Sequence, residues 1–182
     1  NAGIVPAEDT ALFTAVREHE LAHVNLLVTV VNSLGGTPVE QPEFDFTASG
    51  TFPNPFENYQ IFLALAQAFE DTGVRAYKGQ AANLAGDDNV LQTALQIHSL
   101  EARHASMIRR LRGQKGWITS TDGIQGYEAA TQAVYEGEAN TMHLGFDANT
   151  VTEVAEDAVR EGWDEPLTEQ QVNNIAGLFI VE

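Results

Sequence analysis

The strongest constraint on the fold is a stripe of residues at steps of three or four, Phe13, Val16, Glu20, His23, Leu27, Val31 and Leu34, bounded by Pro6-Ala7 and by Gly35-Gly36. Steps of this size put side chains on one face of a helix. Proline suits the first helical position and glycine the position beyond the last, so the spacing predicts a helix from about residue 6 to residue 34. Glu20 and His23 interrupt a seam that is otherwise apolar.

The same pattern returns twice. A second helix is expected to open at Asn54-Pro55-Phe56-Glu57, with Asn as cap and Glu completing a capping box. Its seam reads Leu63, Ala66, Gln67, Glu70, Val74, Tyr77 and Ala81. Gly73 inside it costs about 1 kcal/mol against Ala and marks a close neighbour or a local irregularity. After the turn Ala85-Gly86-Asp87-Asp88, where either Asp can cap, a third helix is expected over residues 89–112. Its seam is Leu91, Ala94, His98, Glu101, Ala105 and Ile108, with His104 at the edge; Arg109, Arg110 and Arg112 complement the carboxyl-terminal dipole. So short a turn makes the second and third helices antiparallel neighbours, whereas residues 37–54 form a long surface crossover held by Phe44, Phe46 and Phe52.

Beyond Gly113 the pattern loosens. Only residues 127–134 and 151–160 read as helical before a last amphipathic helix, capped by Thr168 and carrying Val172, Ile175, Ala176 and Phe179. Trp117 and Trp163 are expected to anchor this tail. The organisation expected is all-α, with the bundle in residues 1–113 and an extension in 114–182 packing on it.

Composition narrows the chemistry. With 26 acidic against 9 basic residues, a net charge of −17 disfavours nucleic acid and anionic membrane surfaces as partners. No apolar run reaches the ~20 residues of a transmembrane helix. Without cysteine there is no disulfide or thiolate ligand, so metal binding falls to histidine and carboxylate. The chain begins at Asn1 without an initiator Met, from which removal of an upstream segment is expected.

Glu18-His19-Glu20-Leu21-Ala22-His23 parses in two ways. From His19 it is HExxH, the zinc-protease helix in which two histidines one turn apart hold the metal and the Glu activates water. That parsing lacks a third ligand and a strand to bind an extended peptide. From Glu20 it is ExxH, half of a bundle site in which two helices each give a Glu and two more each give ExxH. Glu101-Ala102-Arg103-His104 is a second ExxH, and Glu70 lies alone on the seam between them. Burying Glu20, Glu70 and Glu101 together costs several kcal/mol each unless a cation, a proton or solvent reaches them. The ordinary reading is that the helices rotate these groups to water or that Glu and His merely pair. His98 and Tyr77 could support ligands from behind, although each reads equally as a hydrogen-bonded core residue. His143 with Glu138 could bind metal, although a polar loop is the simpler reading.

Beyond these seams, Leu34-Gly35-Gly36-Thr37-Pro38, Phe44-Asp45-Phe46, Phe69-Glu70-Asp71-Thr72-Gly73-Val74, Ile97-His98-Ser99-Leu100-Glu101-Ala102-Arg103-His104 and Trp163-Asp164-Glu165-Pro166-Leu167-Thr168 resemble bacterial ferritin-like domain proteins related to desiccation-related proteins. The resemblance implies a ferritin-like four-helix bundle, often exported to the periplasm or outside the cell, with a carboxylate site holding two iron ions or iron and manganese. Carried over by motif, Glu20, His23, Glu70, Glu101 and His104 are metal ligands, with Glu70 and Glu101 the bridging candidates. A sixth ligand would sit on a helix preceding Pro6, so a first helix is expected upstream or from a partner chain, and a homo-oligomer is one way to supply it. The function expected is redox, oxygen or peroxide chemistry or metal handling, with ferroxidase-like activity as one form. The alternative is a metal-free structural or assembly protein on the same bundle, and the lesser alternative is the HExxH zinc protease.

Overall fold

A computed structural model describes residues 3–119, 121 and 123–181. The chain is all-α, as the seams require. Its long elements are α1 (Ala7–Ser33), α2 (Tyr59–Gln80) and α3 (Asp88–Leu111), followed by short pieces: α4 (Glu128–Thr131), α5 (Glu156–Arg160) and α6 (Glu169–Gly177). Among the described residues the only named strands are the two-residue hairpin strands β1 (Met142–His143) and β2 (Phe146–Asp147). No described helix is long and apolar enough to cross a membrane.

Two compact units divide the chain, residues 1–61 with 179–182, and residues 62–178. In the first, α1 ends where Gly35 takes a left-handed conformation and the Gly36 N–H reaches the Val31 carbonyl at 2.9 Å, closing the helix one residue before the expected end. No residue of α1 is fully buried. All three crossover phenylalanines make ring contacts: Phe52 is 1% exposed and stacks on Phe179, and Phe46 is half-buried, stacks on Phe44 and meets Phe56 edge-on, while Phe44 remains 42% exposed. Asp45 accepts from the Thr47 hydroxyl and from the Thr47 and Ser49 N–H groups. The Thr47 hydroxyl bond, first among these, holds its carboxyl below the usual range. The last strand-like residues pair back on this loop through Asp45 N–H to Phe179 O and Val181 N–H to Glu43 O. Tyr59 donates to Asp9 at 2.7 Å and meets Phe13 edge-on.

α2 starts later than the Asn54 capping box predicts. Asn54 has φ 54°, a turn conformation, and it is Asn58 whose side chain accepts the Gln60 and Ile61 N–H groups. The sequence offers two Asn residues four apart, and the turn uses the first. α3 begins as expected, with Asp87 accepting from Asn89 and Val90.

In the second unit the extension packs on α2. Ile118, Ile124, Val134, Tyr135, Leu167 and Ile175 close over Ala64 and Ala68. The polar centre of this packing is Arg75, 0% exposed, whose guanidinium donates to the Val134, Glu136 and Glu165 carbonyls and pairs with Glu138 at 3.0 Å. Five donors on one planar fork can satisfy that many acceptors, which a lysine cannot do. Lys78 Nζ adds a bond to the Asp164 carbonyl at 2.6 Å. α6 carries the predicted Thr168 cap in full, as a capping box with Gln171. Residues 151–155 are not helical, and only Glu156–Arg160 of that predicted segment forms a helix.

Trp117 and Trp163, expected as anchors of the tail, are half-exposed and make their contacts at its surface. Trp117 donates to Glu161, and Trp163 stacks on His143 with ring centroids 4.2 Å apart. Amphipathic rings with a polar handle fit such half-wet positions, whereas Leu167, Ile175 and Val134 fill the dry ones.

Candidate metal centre

α2 and α3 each put a carboxylate on their buried face, and α3 adds an imidazole one turn further along. Glu70, Glu101 and His104 are 8%, 6% and 4% exposed. Each offers one ligand atom, and these atoms all lie within 4.8 Å of one another. His104 Nδ1 lies 3.2 Å from Glu70 Oε2. Two carboxylates this close and this dry repel one another strongly, and a cation between them or a proton on one of them relieves the repulsion.

Glu101 packs against Gly73 of α2. A Cβ at that position would stand 3.3 Å from Glu101 Oε2 and 3.5 Å from its Cδ, so Glu101 lies against the bare backbone of α2 one turn from Glu70. A side chain here would press on Glu101 by a few tenths of an ångström, so the glycine leaves that carboxylate its room. His98, also on α3, has Nδ1 2.9 Å from the Val74 carbonyl and so ties α3 to α2; Tyr77 is half-buried on α2.

On α1, His23 Nδ1 lies 3.4 Å from Glu20 Oε2, one helical turn away. His19 is exposed while His23 is mostly covered, so the two imidazoles of the HExxH parsing do not share an environment. Neither does the structure join His143 to Glu138: His143 Nδ1 is 3.9 Å from Glu165, and Glu138 is taken by Arg75 and by the Glu165 N–H.

A polar network beside the cluster was not legible in the seams. Asp71, next to Glu70, is 3% exposed and pairs with Arg109; Tyr135 donates to the same carboxylate oxygen at 2.7 Å and lies under the Arg109 guanidinium. Gln67 donates to Tyr135 at 3.1 Å, and Arg112 donates to Gln67. Thus Arg109 and Arg112, expected at a helix end for the dipole, serve as a buried and a half-buried donor. Burial opposes the charge on Arg109, and the Asp71 carboxylate more than offsets it, holding the guanidinium above its usual value. Burial, with Asp71 second, pushes the Tyr135 hydroxyl up, so it stays a proton donor. No local spacing signals this network, because the partners of Asp71 lie 38 and 64 residues away in sequence.

The donor set fits a borderline or hard divalent cation: carboxylate oxygens with imidazole nitrogen suit iron, manganese or zinc, and no thiolate is present to select a softer ion. Among known proteins, the ferritin-like domain family matches residues 1–114. No match was found among curated proteins or solved structures.

Proposed function

Because the chain belongs to the ferritin-like domain family, we propose that Glu70, Glu101 and His104 hold metal, with Glu20 and His23 as the further ligands that the ExxH pattern of such bundles calls for. The observation that carries this reading is the convergence of two carboxylates and an imidazole, all under one-tenth exposed, with Gly73 making room for one of them. In this reading Glu70 and Glu101 would be shared between the ions and His104 would complete one of them, while Glu20 and His23, the first ExxH, would by motif complete the other. Two iron ions, or one iron and one manganese, would supply redox chemistry toward oxygen or peroxide when bound. Glu70 and Glu101 would hold the ions against water by their burial, and Gly73 would keep Glu101 in place.

The full chain titrated with Mn²⁺, or with Fe²⁺ without oxygen, should take up two ions, read by calorimetry with the bound metal counted by mass spectrometry. Glu101→Gln should weaken uptake by more than the ~10–100-fold that losing an outer partner costs. No uptake, or uptake indifferent to Glu101→Gln, would refute the reading. A second reading, assembly without metal, has its own observation: α1 leaves Leu21, Val24, Leu26, Leu27 and Val28 at 40% exposure or more. Contiguous apolar surface of this kind takes a further helix or another chain. If that is the function, sedimentation should show a higher oligomer that Val24→Glu dissolves and that metal leaves unchanged.

A further inference from the structure

We propose that the open groove on the outer side of α3 binds a small amphiphilic oxyanion, its head held by Arg103 and Arg110. The groove has a volume of about 660 Å³, within the range of small-molecule sites. Arg103, Ser106 and Arg110 give it polar donors, and Ala102, Met107 and Leu111 give it an apolar side. The arrangement is mixed in the manner of a site for a molecule with one charged end.

The charge balance singles out these two arginines. The chain has nine Lys and Arg against 26 Asp and Glu. Among the described residues, Arg75, Lys78, Arg109, Lys115 and Arg160 pair with carboxylates, and Arg112 donates to Gln67. Only Arg17, Arg103 and Arg110 remain, and two of these three line one groove. In a chain with so many carboxylates, leaving two neighbouring guanidiniums without one is a local exception to the overall field. A guanidinium is a planar fork suited to carboxylate or phosphate oxygens. The two arginines are seven positions apart, about 10 Å along the helix, with Ser106 between them.

Gly116 also lines the groove. A Cβ there would stand 2.5 Å from Ser106 Oγ and 3.0 Å from Arg110 Nη2, so the bare backbone at 116 is what leaves room for these two polar groups. Any side chain would displace them. The groove, its two cations and the glycine that shapes it are independent of Glu70, Glu101 and His104, and the inference stands or falls apart from the metal reading.

The test uses the full chain with octanoate, octyl phosphate, inorganic phosphate and octyltrimethylammonium as probes, followed by calorimetry. Saturable binding of octanoate or octyl phosphate is expected, and the tighter of the two identifies the head as carboxylate or phosphate. Arg103→Gln and Arg110→Gln should each weaken that binding about tenfold or more, as loss of a charge-assisted bond does. Gly116→Ala should weaken it as well, and if that variant does not fold, the two arginine variants decide. The proposal is overturned if neither anionic amphiphile binds, if octyltrimethylammonium binds equally well, if inorganic phosphate alone binds as tightly as octyl phosphate, or if both arginine variants bind like the parent.

Discussion

Gly79 offers a prediction whose sign separates tertiary packing from helix propensity. It lies in the last turn of α2, where Gly→Ala in a free helix is expected to stabilise by about 1 kcal/mol. Here a Cβ would stand 1.9 Å from the Leu167 carbonyl oxygen and 3.0 Å from its carbon, so the main chain at Leu167 must move by more than an ångström. Leu167 is 1% exposed in the core of the second unit, and its N–H bonds to the Arg75 carbonyl at 3.1 Å. Displacing it loses that bond, about 1 kcal/mol, and unseats a side chain whose burial is worth ~2 kcal/mol. Set against the propensity gain, the net loss is about 2 kcal/mol. With a urea dependence of ~2 kcal/mol/M, the unfolding midpoint of Gly79→Ala should fall by ~1 M at unchanged slope. A midpoint equal to or above that of the parent would show that Leu167 does not sit on Gly79 and would refute the account of how the extension is held.

Glu138 gives a prediction in pH. Burial pushes its carboxyl up to about 7, with Arg75 and Lys78 opposing and Asp164 adding to the rise. The unfolded group titrates near 4.5, so between about pH 4.5 and 7 the folded chain holds the extra proton, and its advantage is lost as pH rises through 7. The stability of the parent minus that of Glu138→Gln should therefore fall from pH 5 to pH 7; an ordinary surface ion pair would give the opposite slope, and that slope in urea titrations would sink the assignment. Tyr135→Phe removes a hydrogen bond to Asp71 but touches no proposed ligand, and it should weaken Mn²⁺ uptake by ~10-fold or less while lowering the unfolding midpoint. Unchanged uptake would show that Asp71 does not steady its neighbour Glu70.

The three long helices were readable because each carries a period of three to four over about five or six turns, and periodicity survives any detail of packing. Carboxylates on those seams were readable for the same reason: Glu70 and Glu101 are exceptions to a pattern, and exceptions stand out. Thr168 and Asp87 were readable as caps because a cap is a local contract between neighbours in sequence. The start of α2 was not, since Asn54 and Asn58 make equal offers and only the path of the crossover chooses. Nor could Arg75 be read, because its partners are main-chain carbonyls 59 to 90 residues away, and a carbonyl carries no sequence signature.

Glu70 and Asp71 are consecutive, so they point about 100° apart around α2, and no rotation of the helix can move one without the other. Glu70 reaches His104 on α3; Asp71 reaches Arg109, five residues further along α3, and Tyr135 from the extension. Two contacts from adjacent residues to one neighbouring helix fix both the rotation of α2 and its register against α3. A third, from Tyr135, makes the extension part of that restraint. Carboxylates that repel one another would turn a loosely held helix toward water, and the buried Asp71–Arg109 pair opposes that turn. On this argument residues 114–178 are more than a cover for α2: through Tyr135 and Arg75 they hold the helix whose rotation keeps Glu70 beside Glu101.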